Sequence, residues 1–174
     1  MNRKPARIRG ILAAALGAVL VLAAVPFASA QSFEKGTSSV TLMLGAGRQL
    51  DRDYTIISGR FGYYFVREFE AAVGVEAWRG NDPLIYKIIP ELRYVYSASR
   101  PFQPYVGMFV SRTIYQGGPP DVNTYGGKAG LYFTLNPNAH LGVGFIYERI
   151  ESCDPAVYRD CRQTYPEASL HFTF

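Results

Sequence analysis

The sequence predicts an all-β fold, an eight-stranded antiparallel up-and-down transmembrane β-barrel. Three observations predict it. First, apolar and polar residues alternate with period two through eight segments of about ten residues, near the ~9–11 that a tilted strand needs to cross a bilayer. Second, the connections alternate in character. Those at Val66, Ala98 and Asn136 are tight, while those near Arg48, Gly80, Gly117 and Cys153 are mostly longer and more polar, which is how a membrane barrel distributes its turns and loops. Third, the stretch Tyr165 to Phe174 sets Pro166, Ala168, Leu170, Phe172 and Phe174 in one unbroken apolar row against Tyr165, Glu167, Ser169, His171 and Thr173. A closing strand that pairs with the first and turns its apolar row to lipid would read this way.

The chain opens on a basic segment (Arg3, Lys4, Arg7, Arg9), an apolar run from Ile11 to Val25, and Ala28-Ser29-Ala30 before Gln31. That is the pattern of a secretory signal peptide over residues 1–30, leaving 31–174 as one barrel domain. The rival, an N-terminal membrane anchor, has too short an apolar run. Loss of the leader removes four basic residues, so 18 Lys+Arg become 14 against 14 Asp+Glu, and the mature net charge is zero. Nucleic-acid binding then has no compositional support.

The strands follow in order. After a short lead-in from Gln31 to Thr37, expected to lie in the periplasm outside the barrel, Val40, Leu42, Leu44 and Ala46 alternate with Ser39, Thr41, Met43 and Gly45. A charged loop is expected from Arg48 to Asp53. The second strand sets Ile57, Phe61, Tyr63 and Phe65 against Ser58, Arg60, Gly62 and Tyr64; the third sets Phe69, Ala71, Val73, Val75 and Ala77 against Glu70, Ala72, Gly74, Glu76 and Trp78. The fourth sets Tyr86, Ile88, Pro90, Leu92, Tyr94 and Tyr96 against Lys87, Ile89, Glu91, Arg93 and Val95, with a bulge expected at Pro90, which has no N–H for the ladder. The fifth, from Phe102 to about Tyr115, leaves its faces open, since Val106, Met108 and Val110 compete with Tyr105 and Phe109. The sixth sets Tyr125, Ala129, Leu131 and Phe133 against Gly126, Lys128, Gly130 and Tyr132; the seventh sets Leu141, Val143, Phe145 and Tyr147 against His140, Gly142, Gly144 and Glu148. Residues 151–162 form the longest loop, and the eighth strand closes the chain.

Alternation alone does not say which face points outward. A soluble barrel that binds an apolar ligand would turn the apolar row inward. The glycines of the charged row favour the reverse, because glycine makes room in a narrow lumen. So do the aromatics of the apolar row, which gather near strand ends as interfacial girdles do. On these residues and the closing strand, the chain resembles the small eight-stranded outer-membrane barrels, the group of OmpX, OmpW and the OmpA transmembrane domain. The resemblance implies a monomer in the cell outer membrane. Its partners would be outer-membrane lipid and lipopolysaccharide, and the barrel-assembly machinery reading Leu170, Phe172 and Phe174. No cofactor and no metal are implied.

In the inverted arrangement Arg60, Glu70, Glu76, Lys87, Glu91, Arg93, Lys128, Glu148 and Glu167 face the lumen, where charges must be paired or hydrated. Opposite charges meet if strands three and four pair Glu76 with Lys87 and Glu70 with Arg93. Lys128 then falls diagonally near Glu148, and Arg60 near Glu76. These charges either plug the barrel or line a narrow channel for small solutes or ions. Cys153 and Cys161 are expected to form a disulfide in an oxidising compartment, the alternative being two free thiols. Related barrels include lipid A deacylases with a His-x-Ser motif. Here His171-Phe172-Thr173 has Thr for Ser at the wrong end of its strand, and His140 begins near the same side, so no enzyme activity is expected. Arg112, Arg149, Arg159 and Arg162 would lie near the outer rim, within reach of lipid phosphates. The expected role is structural or surface-interactive.

Overall fold

The computed structural model describes residues 32–98, 100–117, 119–154, 158 and 160–174; the expected leader 1–30, Gln31 and Arg159 lie outside these residues. Eight strands follow one another: β1 Ser38–Gln49, β2 Arg52–Val66, β3 Phe69–Arg79, β4 Leu84–Val95, β5 Phe102–Gln116, β6 Val122–Asn136, β7 Ala139–Ile150 and β8 Arg162–Thr173. Each pairs antiparallel with its sequence neighbours, and β8 pairs back onto β1 to close the barrel. At the seam Ser38 and Phe174 exchange two backbone hydrogen bonds, of 2.9 and 3.0 Å. Closure leaves no unpaired strand edge, the requirement for backbone in hydrocarbon.

The period-two rows set the faces. Leu44, Phe61, Val75, Met108 and Phe145 point outward and are each more than half exposed, while Arg93, Lys87, Glu70 and Glu148 are buried inside. The apolar row is therefore the outer wall, the reverse of a soluble barrel. The open question in β5 is resolved by the same alternation: Val106, Met108 and Val110 face out, and Tyr105 and Phe109 face in. Outward rings cluster at the rim of the tight turns, with centroids 4.8 Å apart for Phe69 and Tyr94 and 5.2 Å for Phe102 and Phe133.

Three local expectations are corrected. The loop from Arg48 to Asp53 is a two-residue hairpin, because Arg48 and Gln49 pair with Asp53 and Arg52, leaving Leu50 and Asp51 to turn at φ 53° and 59°. Two positive φ values are the twist that a two-residue hairpin needs. Pro90 makes no bulge: Ile88 faces Arg112 and Glu91 faces Phe109, so no residue is inserted. The irregularities lie instead at the ends of β2 and β6, beside the tight turns. Finally, the lead-in does not stay outside the barrel. Phe33 is inserted into the mouth on the turn side and is almost fully buried, its carbonyl accepting the Glu68 N–H at 2.7 Å.

Candidate functional site

The lumen is filled in layers. Toward the loop rim lies a cluster that includes Ile56, Trp78, Ile85, Ile89, Phe109, Ile146 and Tyr165, several of them from rows that read as polar in sequence. Toward the turn rim Phe33 packs with Tyr64, Val95, Tyr105 and Tyr132. The charges occupy the space between and extend into the first cluster.

Their centre is Glu91. One carboxylate oxygen meets Arg60 at 3.1 Å and Lys128 at 2.7 Å, and the other takes Nε and Nη2 of Arg93, both at 2.9 Å. Arg93 also reaches Glu70 at 3.4 Å and donates to the Tyr132 hydroxyl, while Glu70 accepts from Ser39. A second centre joins Lys87 to both oxygens of Glu148 at 2.6 and 2.7 Å, with Tyr165 donating to Glu148 at 3.1 Å. Lys87 stands 4.3 Å over the Trp78 ring, whose N–H donates to Glu76 at 3.1 Å. Glu167 accepts from Tyr105. A carboxylate taken out of water needs such partners, since leaving one unpaired costs several kcal/mol.

All nine residues read as lumen charges are thus brought inside, and β3 and β4 adopt the expected register, with Glu76 facing Lys87 and Glu70 facing Arg93. The ion pairs only partly follow that register. Arg93 does bind Glu70, but Lys87 crosses the lumen to Glu148 rather than Glu76. Lys128 and Arg60 go to Glu91 rather than to Glu148 and Glu76. Across a barrel this narrow, a long side chain reaches the far wall as readily as its strand neighbour. Glycine makes that reach possible. A Cβ at Gly144 would stand 2.5 Å from the Tyr105 hydroxyl, which needs the space to meet Glu167.

The histidines belong to the turn-side layer. His171 Nδ1 lies 2.8 Å from the Thr41 hydroxyl and Nε2 lies 3.2 Å from Tyr64; His140 Nε2 lies 3.1 Å from Ser32 and Nδ1 3.4 Å from Thr134. Phe33 lies 4.7 Å from the His140 ring and 5.8 Å, stacked, from that of His171. Both imidazoles are structural contacts of the inserted segment. Sequence reasoning missed this segment, although its one signal, an isolated apolar Phe33 in a polar lead-in, was present.

No family model matches the chain, and no curated protein matches it. Among solved structures it is similar to Neisserial surface protein A at 17% identity and TM-score 0.57, covering 79% of this chain and 96% of that one. It is similar to the N-terminal β-barrel domain of Pseudomonas aeruginosa OprF at 13% and 0.61, covering 80% and 98%. A de novo designed transmembrane β-barrel is similar at 16% and 0.54, covering 81% and 98%. The chain has the fold of the small eight-stranded outer-membrane barrels. A shared fold does not by itself name an activity.

At the loop rim of this barrel Cys153 and Cys161 are bonded, clasping the β7–β8 connection. Arg112 is held by Asn123 at 3.1 Å and Asp121 at 3.6 Å. Arg149 and Arg162 are exposed and directly opposed across β7 and β8. These groups can hold ions or lipid headgroups. The lumen groups, already paired with one another, can hold the barrel closed.

Proposed function

We propose that this chain is an outer-membrane protein with structural or surface-interaction duties, its lumen closed rather than conducting. The observation that carries the reading is the Glu91 cluster, where one carboxylate holds three cations across the lumen and spans it from wall to wall. Phe33 blocks the mouth on the turn side. The outward apolar wall supports placement in lipid, and the fold of its structural neighbours supports the outer membrane. On this reading the chain is exported by a leader ending at Ala30. It is assembled by machinery that reads Leu170, Phe172 and Phe174, and it functions as a monomer among outer-membrane lipid and lipopolysaccharide. No catalytic duty is proposed, since the histidine nitrogens are engaged by hydroxyls inside the barrel.

A second reading, a narrow conduit for ions, rests on buried lumen atoms without hydrogen-bond partners, among them Ser58 Oγ, Gln103 Nε2 and Thr113 Oγ1, which water could satisfy. Planar-bilayer recording of the refolded protein separates the two. A closed barrel gives no discrete steps once insertion is verified by the gel mobility of unboiled samples. Reproducible steps that change in Arg93→Ala would establish the conduit and overturn the closed reading.

A further inference from the structure

One row of outward residues crosses the barrel wall from the middle of the apolar belt to the loop rim. Phe61 faces Val73, Val73 faces Pro90, Val110 faces Tyr125, Tyr125 faces Arg149, and Arg149 faces Arg162. Pro90 falls level with Val110, between the pairs Ile88–Arg112 and Glu91–Phe109. The apolar part of this row is the floor of a groove of about 760 Å³. Phe61, Met108 and Tyr125 also line it, and a second groove of about 590 Å³ continues past Pro90, Val110 and Tyr125 toward Arg112 and Glu151. The floor is low because it is built from Ala71, Val73 and Pro90, among larger outward side chains. Three strand spacings, from Val73 to Tyr125, give about 14 Å of length, a scale suited to an acyl chain.

The upper end of the row is charged in an unfavourable way. Two arginines directly opposed on neighbouring strands repel, and sheets normally avoid such a pair. Among the described residues neither Arg149 nor Arg162 has an ion-pair partner within 4.0 Å; of the acidic positions closest along the chain, Glu148 faces the lumen and binds Lys87, Glu151 lies beyond the end of β7 and Asp160 lies before the start of β8. A dianionic or monoanionic phosphate between the two guanidinium groups would remove the repulsion and satisfy their paired donors. Tyr125 stands between groove and arginines, where an amphipathic ring marks the boundary of hydrocarbon.

We propose that Arg149, Arg162, Tyr125 and the Val110–Pro90–Val73 groove form a specific site for a lipid with a phosphate-bearing headgroup. The phosphate sits on the two arginines and one acyl chain lies along the groove. The site rests on the membrane reading above and gives it a lipid partner with a defined seat.

The test uses the full mature chain, refolded in dodecylmaltoside and titrated with dimyristoyl phosphatidic acid, with retained lipid counted by native mass spectrometry. Dimyristoylglycerol and inorganic phosphate are the comparison probes. One phosphatidic acid is expected to stay on the wild-type barrel, with neither comparison probe retained. Arg149→Gln/Arg162→Gln should weaken retention at least about tenfold, the scale of one lost charge-assisted contact of ~1.5–3 kcal/mol. Val110→Trp, which fills the groove without touching the arginines, should weaken it too, and Arg48→Gln should not. Equal retention by wild type and both site variants, in protein of native unboiled mobility, overturns the site. Retention of inorganic phosphate alone overturns the lipid as its occupant. Failure of the wild type to enter phosphatidylglycerol vesicles overturns the membrane reading itself, and the site with it.

Discussion

At the scale of single residues, the lumen is decided by Glu91. Three cations converge on its carboxylate, and all are removed from water. Glu91→Gln keeps the shape but, among the described residues, leaves Arg60 and Lys128 without a carboxylate within 4.0 Å and Arg93 with Glu70 alone. Removing one partner from a buried charge cluster costs on the order of 3–5 kcal/mol, so the midpoint of urea unfolding in lipid vesicles should fall sharply. Glu76→Gln should lower it far less, because Glu76 accepts from the Trp78 N–H and has no cation within 4.0 Å among the described residues. Equal losses from the two variants would mean that the charges act as filler rather than as a paired network. The sequence made the inward set of nine charges legible, because period two gathers them on one row and the glycines of that row favour turning it inward. It did not make Glu91 legible as their centre. Arg60 and Lys128 reach it from strands that do not neighbour β4, and such distances depend on barrel diameter rather than on spacing along the chain.

At the scale of elements, the segment before β1 behaves as part of the barrel. Phe33 is buried among Tyr64, Tyr132, His140 and His171, and Ser32 bonds to the Pro137 carbonyl, His140 and Thr173. Truncating a buried aromatic ring costs about 3–5 kcal/mol, so Phe33→Ala should lower stability by that order and raise the accessibility of cysteines placed at inward positions of the turn-side lumen. A Phe33→Ala barrel as stable as wild type would leave the segment as a mere tether. The neighbouring turns are tied together as well. Glu68, between β2 and β3, accepts from the Ser97 hydroxyl at 2.5 Å, the Ser97 N–H at 3.1 Å and the Tyr94 hydroxyl at 3.1 Å, and the Ser97 hydroxyl bond leads in holding its pKa below the ordinary 4.5. A carboxylate with a depressed folded-state pKa stabilises above its unfolded pKa, and the contribution fades as pH falls through the folded value. The effect is small because the group faces water. Wild type should therefore exceed Glu68→Gln in urea midpoint at neutral pH, and the gap should close as pH falls below the ordinary 4.5. A gap that widens on acidification would reverse the sign of this link. Strand order, and the two faces of every strand but β5, were readable from alternation, whereas the hairpin at Leu50 and Asp51 was not. Charged residues at the ends of β1 and β2 read as loop, yet they pair, because the ladder continues past the point where the apolar row stops.

At the scale of the whole molecule, the property that matters is which way the barrel is turned, and this is legible in the sequence. Glycine on the charged row, aromatics at the strand ends and the closing row through Phe172 all favour the apolar row outside and the charged row inside. The chain offers a direct optical test of it, since Trp78 is its one tryptophan and is fully buried inside the wall, against Tyr54, Tyr165 and Lys87. In vesicles of lipid brominated on the acyl chains, Trp78 fluorescence should be quenched weakly, because the strand backbone separates the indole from lipid. A second tryptophan placed outward at Met108, which is 66% exposed, should be quenched strongly in the same vesicles. A soluble-type barrel, with the apolar row inside, leaves neither residue touched by bromine and makes Trp78, rather than the Met108→Trp indole, sensitive to aqueous iodide. Strong bromine quenching of Trp78 would mean that the apolar and charged rows have exchanged faces, and no placement of the Glu91 cluster in the lumen could survive that result.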